Sequence, residues 1–100
     1  MSKHVGRKQR WTQNSARQYT SSLGKVVYAK GAWFGLLEYQ TLVPPAEERA
    51  LLTWEAHTAQ LGPFKRPRNA MVAVEREATM LQNRHGEQVR ILGPAGVEVL

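Results

Sequence analysis

His57 and Glu55 come nearest to a reactive pair in this sequence. On an extended chain, residues two apart project from one face of a strand, which brings an imidazole beside a carboxylate. Such a pair can begin a metal site or pass a proton. A metal needs a third ligand, however, and no other His or Glu stands at ligand spacing. His4 lies among polar residues near the N-terminus, and His85 precedes Gly86 where a helix should end. Ser15, Ser21 and Ser22 have no His–acid company that would make one a nucleophile. Gly93-Pro94-Ala95-Gly96 lacks the Lys-Ser/Thr of a phosphate loop. All eight acids are Glu, and the absence of Cys removes thiol chemistry, disulfides and Cys-type zinc sites. No catalytic residue, metal site or cofactor is expected, and the chain does not read as an enzyme.

The cations say more. Lys3, Arg7, Lys8, Arg10, Arg17, Lys25 and Lys30 are seven positives, with no acid before Glu38. From Glu38 onward, seven Lys/Arg face eight Glu, so the net +6 belongs wholly to the first 30 residues. Residues 1–22 offer only Val5, Trp11, Ala16 and Tyr19 as scattered apolar groups and are expected to be a flexible basic tail. A basic tail on a near-neutral body suits a polyanion, because each phosphate it neutralises releases condensed counterions. Trp11 and Tyr19 among those cations are candidates for stacking on bases. A second cluster, Lys65-Arg66-Pro67-Arg68-Asn69, opens what should be the one long helix. Cations are unfavourable at the positive end of a helix dipole. With the free backbone N–H groups there, they make a place that would welcome a phosphate.

These residues need elements to hold them. Lys25-Val26-Val27-Tyr28-Ala29 is a β-branched and aromatic run, Lys30-Gly31 a turn, and Ala32 to Val43 a longer apolar run: a β-hairpin. In its second strand, Trp33, Gly35, Leu37, Tyr39 and Thr41 share one face, and Phe34, Leu36, Glu38, Gln40 and Leu42 the other. Neither face is cleanly polar. Gly35 between large residues suggests a bulge or a close backbone approach, and Pro44-Pro45 ends the strand. For Ala46 to Leu61, propensity favours helix and alternation favours strand. The exit Leu61-Gly62-Pro63-Phe64 tips the expectation to a connection at 44–50 and a strand at about 51–60, with helix as the open alternative.

Pro67 to Arg84 has helical periodicity, with Ala70, Met71, Ala73, Val74, Ala78, Met80 and Leu81 on one arc and Glu77 the one charge within it. Arg84, His85 and Gly86 suit its C-terminal end. Gln88 to Leu92 is a candidate last strand.

The expected fold is α+β: a three-stranded antiparallel sheet covered by one C-terminal amphipathic helix. Residues 1–22 would be the tail, 23–92 one small domain, and 93–100 a C-terminal extension. So small a core makes a homodimer a natural way to cover Trp33, Phe34 or the C-terminal strand. No apolar run approaches the ~18–20 residues of a membrane span, so a cytoplasmic protein with no membrane partner is expected.

A basic N-terminal arm, three antiparallel strands and one covering helix resemble the arm-site DNA-binding domains of tyrosine recombinases and the DNA-binding domain of plant ethylene-response factors. Leu61-Gly62-Pro63-Phe64 followed by Ala70, Val74 and Ala78 is similar to their strand-to-helix junction. The resemblance covers about 24–84 and implies that an exposed sheet face, through side chains around Lys25 to Gln40 and Thr53 to His57, enters a DNA groove. Double-stranded-RNA-binding domains also set a basic helix start on phosphates, although their usual first helix is not recognisable here.

The expected function is therefore nucleic-acid binding, with DNA ahead of RNA. The candidate contacts are Lys3, Arg7, Lys8, Arg10, Trp11, Arg17, Lys25, Lys30, Trp33, Lys65, Arg66 and Arg68, with Trp33 or Gln40 for base reading. The alternative is a small adaptor or inhibitor, of the kind phages and mobile elements encode, that binds a protein (an acidic one by the tail) through an edge strand or the apolar hairpin. A subunit of a ribonucleoprotein assembly ranks third.

Overall fold

A computed structural model describes residues 10–44 and 51–94. The fold is α+β: six strands form one antiparallel sheet, and a single long helix covers one face. The strands are β1 (Thr12–Ser15), β2 (Gln18–Thr20), β3 (Lys25–Ala29), β4 (Ala32–Val43), β5 (Thr53–Phe64) and β6 (Val89–Ile91). The helix α1 spans Pro67–His85, and one 3-10 turn at Gly86–Gln88 links it to β6. The spatial order is β1-β2-β3-β4-β5, and β6 pairs with β4.

β3 and β4 form where β-branched and aromatic residues run together. Lys30 (φ 53°) and Gly31 (φ 81°) between them both take positive φ. That is the two-residue turn whose twist matches a hairpin, although Lys is an unusual occupant of its first position. Register fixes the faces. Val26 lies opposite Gly35, Tyr28 opposite Trp33, Leu37 opposite Ala59 and Tyr39 opposite His57. Val26 and Leu37 on this face are buried, together with Ala70, Val74, Ala78 and Leu81 of α1. Their i, i+4 and i+3 spacing makes one stripe on the helix.

Small side chains keep the stripe thin. A methyl group at Gly35 would lie 2.6 Å from Val74 Cγ2 and 3.2 Å from the Ala70 carbonyl oxygen. Gly35 is thus the close backbone approach that lets α1 settle on the sheet. Met80, expected on the buried arc, is half exposed instead. Pro67 occupies the first helical turn, and Gly86 (φ 59°) closes the helix with its N–H donated to the Gln82 carbonyl.

Three expectations need correction. The sheet has six strands rather than three. The two at the N-terminal edge, β1 and β2, lie inside the segment expected to be a flexible tail, residues 1–22. Their side chains are mostly polar, exposed in β1 and half-buried in β2, so they carry little apolar signal. They are fixed by pairing, with Tyr19 opposite Val26, and by Trp11, which packs against the core. Residues 1–9 of that tail lie outside the described residues.

The strand expected at 51–60 runs instead from Thr53 to Phe64. The register shifts between Trp33 and Gly35 of β4, where three steps of β5 match two, so that Leu61 and Phe64 both face the core. Gly62 (φ 123°) and Pro63, read in sequence as an exit, make up this bulge, and their peptide bond is cis. Pro63 is tolerated because β5 is an edge strand. Of the 44–50 connection, residues 45–50 lie outside the described set, as do residues 95–100 of the C-terminal extension.

Candidate nucleic-acid interface

Alternating antiparallel order places three connections at one end of the sheet: Ala16-Arg17 between β1 and β2, Lys30-Gly31 between β3 and β4, and Lys65-Arg66 between β5 and α1. Four of those six residues are cationic, and Arg68 follows in the first turn of α1, which holds no acid. Neighbouring strands lie about 4.8 Å apart, so from β2 to β5 this basic end is roughly 14 Å wide. Arg17, Lys30, Lys65, Arg66 and Arg68 are all exposed. No salt bridge among the described residues engages any of them. The helix start has no side-chain cap, and the residue at its cap position is Arg66.

The local reasons differ from one cation to the next. Arg17 is held where the Tyr28 N–H donates to its carbonyl (3.0 Å), and its guanidinium lies 5.5 Å from the Tyr28 ring centre. Tyr28 in turn packs against Trp33 (5.2 Å between centroids), and Trp33 against Tyr19 (5.8 Å). Lys30 sits in a turn position that glycine or asparagine would fill with less strain. Among the described residues the acids lie elsewhere: Glu38 in mid-β4, Glu55 near the start of β5, Glu87 beyond the far end of α1, and Glu75 and Glu77 in its middle.

The other face of the sheet is open. Lys25 and Val27 of β3, Phe34, Leu36, Glu38, Gln40 and Leu42 of β4, and Trp54, Ala56 and Thr58 of β5 point away from α1. Their large apolar members are half-buried, and none packs against the core cluster. Among the described residues no helix or strand packs over them. Arg90 of β6, opposite Gln40, lays its guanidinium 3.8 Å from the centre of the Trp54 ring.

The candidate contact residues therefore separate. Arg17, Lys30, Lys65, Arg66 and Arg68 converge at the basic end. Lys25 and Gln40 lie on the open face, and Arg10 is exposed just before β1. Lys3, Arg7 and Lys8 lie outside the described residues. Trp11 is not free to stack on a base: its indole N–H donates to Glu75 Oε2 at 2.8 Å, and its ring packs against the core. Trp33 is on the helix-covered face between two tyrosines, not on the open one.

His57 accepts or donates a hydrogen bond with Thr41 Oγ1 at 2.9 Å, stacks on Tyr39 and lies 3.7 Å from Glu55 Oε1. Tyr39 and Thr41 of β4 with His57 and Glu55 of β5 thus form a polar cross-strand ladder; among the described residues no group of three His, Cys, Asp or Glu is placed to hold a metal. No described helix is long and apolar enough to cross a membrane.

The Trp54–Arg90 pair escaped the reading of the sequence. Its members are 36 positions apart, and β6 meets β4 only after the whole helix has intervened. The one available signal was a tryptophan on the strand face it shares with Ala56 and Thr58. No protein-family model, curated protein or solved structure matches the chain.

Proposed function

We propose that the protein binds nucleic acid, with its basic end on the phosphate backbone. The observation that carries this reading is the convergence of Arg17, Lys30, Lys65, Arg66 and Arg68, from separate stretches of sequence, without a carboxylate in the connections they occupy. Cations gathered this way repel one another and cost stability unless an anion arrives between them. Arg66 and Arg68 carry the further penalty of sitting at the positive end of α1, where a phosphate would be stabilised by the same free N–H groups. Lys3, Arg7, Lys8 and Arg10 add charge of the same sign along the sequence.

Fluorescence anisotropy with mixed-sequence DNA and RNA oligonucleotides, between 50 and 200 mM salt, tests it. The expected result is affinity that falls by a factor of about 10 or more across that range, as several phosphate contacts require. An affinity independent of salt, or none at 50 mM, contradicts it.

A second reading, a protein-binding adaptor, has its own observation. The outer edge of β5 pairs with no strand among the described residues, and it bears no lysine to discourage pairing. Beside its start, Leu51 and Leu52 are 84% and 59% exposed. Such an edge would bind an extended peptide by strand addition. Leu51→Glu with Leu52→Glu abolishes that binding and leaves nucleic-acid affinity in place, which separates the two readings.

A further inference from the structure

We infer that the open face of the sheet takes the bases of a single-stranded nucleic acid, its phosphates following the basic end and Lys25. The inference rests on the nucleic-acid reading above and adds the class of ligand and the surface that distinguishes it.

Three observations point there. The face combines flat apolar groups with cations. Phe34 and Leu36 lie beside Val27 and Lys25 across the β3–β4 register, and Trp54 lies under the guanidinium of Arg90. A ligand suited to both is anionic and presents planar apolar surfaces, which describes nucleotides. An apolar protein helix would instead strand Lys25, Glu38, Gln40 and Arg90 against its surface.

The Trp54–Arg90 pair is itself a stacking step. The Cζ of Arg90 lies over the Trp54 ring, 3.8 Å from its centre, and Arg90 is exposed, so a base could stack on the guanidinium from the solvent side. Gln40, between β6 and β5 on the same face, supplies amide donors and acceptors at the level of base edges. Glu38 lies in the middle of the face, where a carboxylate repels a phosphate but can accept from a base amino group.

Width argues against a duplex. Five strands in order span about 19 Å, whereas a B-form major groove is about 12 Å wide and admits a helix or a two-stranded ribbon. An unpaired strand imposes no such limit. It could lie along β4, where Phe34 and Gln40 are separated by about 20 Å.

The test compares a labelled 12-nucleotide oligothymidine, a 12-nucleotide oligouridine and a 12-base-pair duplex, within the site sizes common for single-strand binders (roughly 4–16 nucleotides). The full chain is titrated at 50 and at 200 mM salt, the higher concentration weakening backbone attraction. At least one single strand is expected to bind about 10-fold or more tightly than the duplex. Phe34→Leu and Trp54→Ala are each expected to weaken single-strand binding by roughly 5-fold or more, with duplex binding unchanged. Phe34→Leu keeps an apolar side chain, and Arg90→Gln provides a variant that alters only an exposed residue, so a folding defect in one leaves the others informative. Thermal melts verify folding. Equal affinity for strand and duplex, or variants that are folded and bind as tightly as the parent, overturns this inference and leaves the basic end standing. If neither ligand binds at 50 mM salt, the nucleic-acid reading fails and this one with it.

Discussion

Trp11 and Gly35 hold the fold, whereas Lys30 occupies its turn at a backbone conformation that costs it strain. Trp11 stands among cations in the sequence and looks available, yet its N–H is committed to Glu75 and its ring to the core. Trp11→Phe keeps most of the packing and loses the charge-assisted hydrogen bond, for a predicted cost of about 1–2 kcal/mol in urea denaturation. Gly35→Ala forces a methyl group against Val74 and the Ala70 carbonyl, and about 1–3 kcal/mol should be lost in the same assay. Lys30 goes the other way. Lys30→Asn suits the positive φ better, so stability should rise by several tenths of a kcal/mol to about 1, while polyanion affinity falls. A variant that gains in both would show that the lysine has no ligand to serve. Gly35 was legible in the sequence, because a glycine set among large strand residues marks a bulge or a place where another backbone comes close. Trp11 was not, since its partner lies 64 positions away on α1.

At the scale of elements, what could be read from sequence followed the strength of the local pattern. The β3–β4 hairpin and its turn fall where β-branched residues and Lys30-Gly31 placed them, and α1 begins at Pro67, which suits a first helical turn. β6 lies within the Gln88 to Leu92 run that reads as a candidate strand, but β1 and β2 are four and three residues long, too short for periodicity to register against mostly polar side chains. They exist because neighbours offer them hydrogen bonds, which composition does not reveal. β5 overran its expected end because a bulge, rather than a turn, used Gly62 and Pro63. It follows that residues 10–22 are part of the folded unit. A chain beginning at Leu23 loses two strands and the Trp11 anchor, and should be less stable by at least about 3 kcal/mol. A truncation that removes only residues 1–9 leaves every described strand in place, and is predicted to change charge-dependent binding more than the melting temperature.

Across the whole molecule, the cationic excess of the N-terminal third is only half of the electrostatic picture. Antiparallel order folds Arg17 and Lys30 of that third against Lys65, Arg66 and Arg68 of the near-neutral remainder, so one end of the sheet becomes basic although no stretch of sequence announces it. The covered face, with its small alanine-rich stripe, fixes α1 so that its start lies at that end. The cations were thus legible individually, and their assembly into one surface was not, because it depends on the β5 to α1 reversal. The most direct test is the salt dependence of oligonucleotide affinity for the parent chain and for a Lys30→Gln, Lys65→Gln, Arg66→Gln triple variant. The slope of log affinity against log salt should become shallower by about 2–3 when three phosphate contacts are removed. An unchanged slope and affinity in a folded triple variant would contradict the basic end as the place where the polyanion binds.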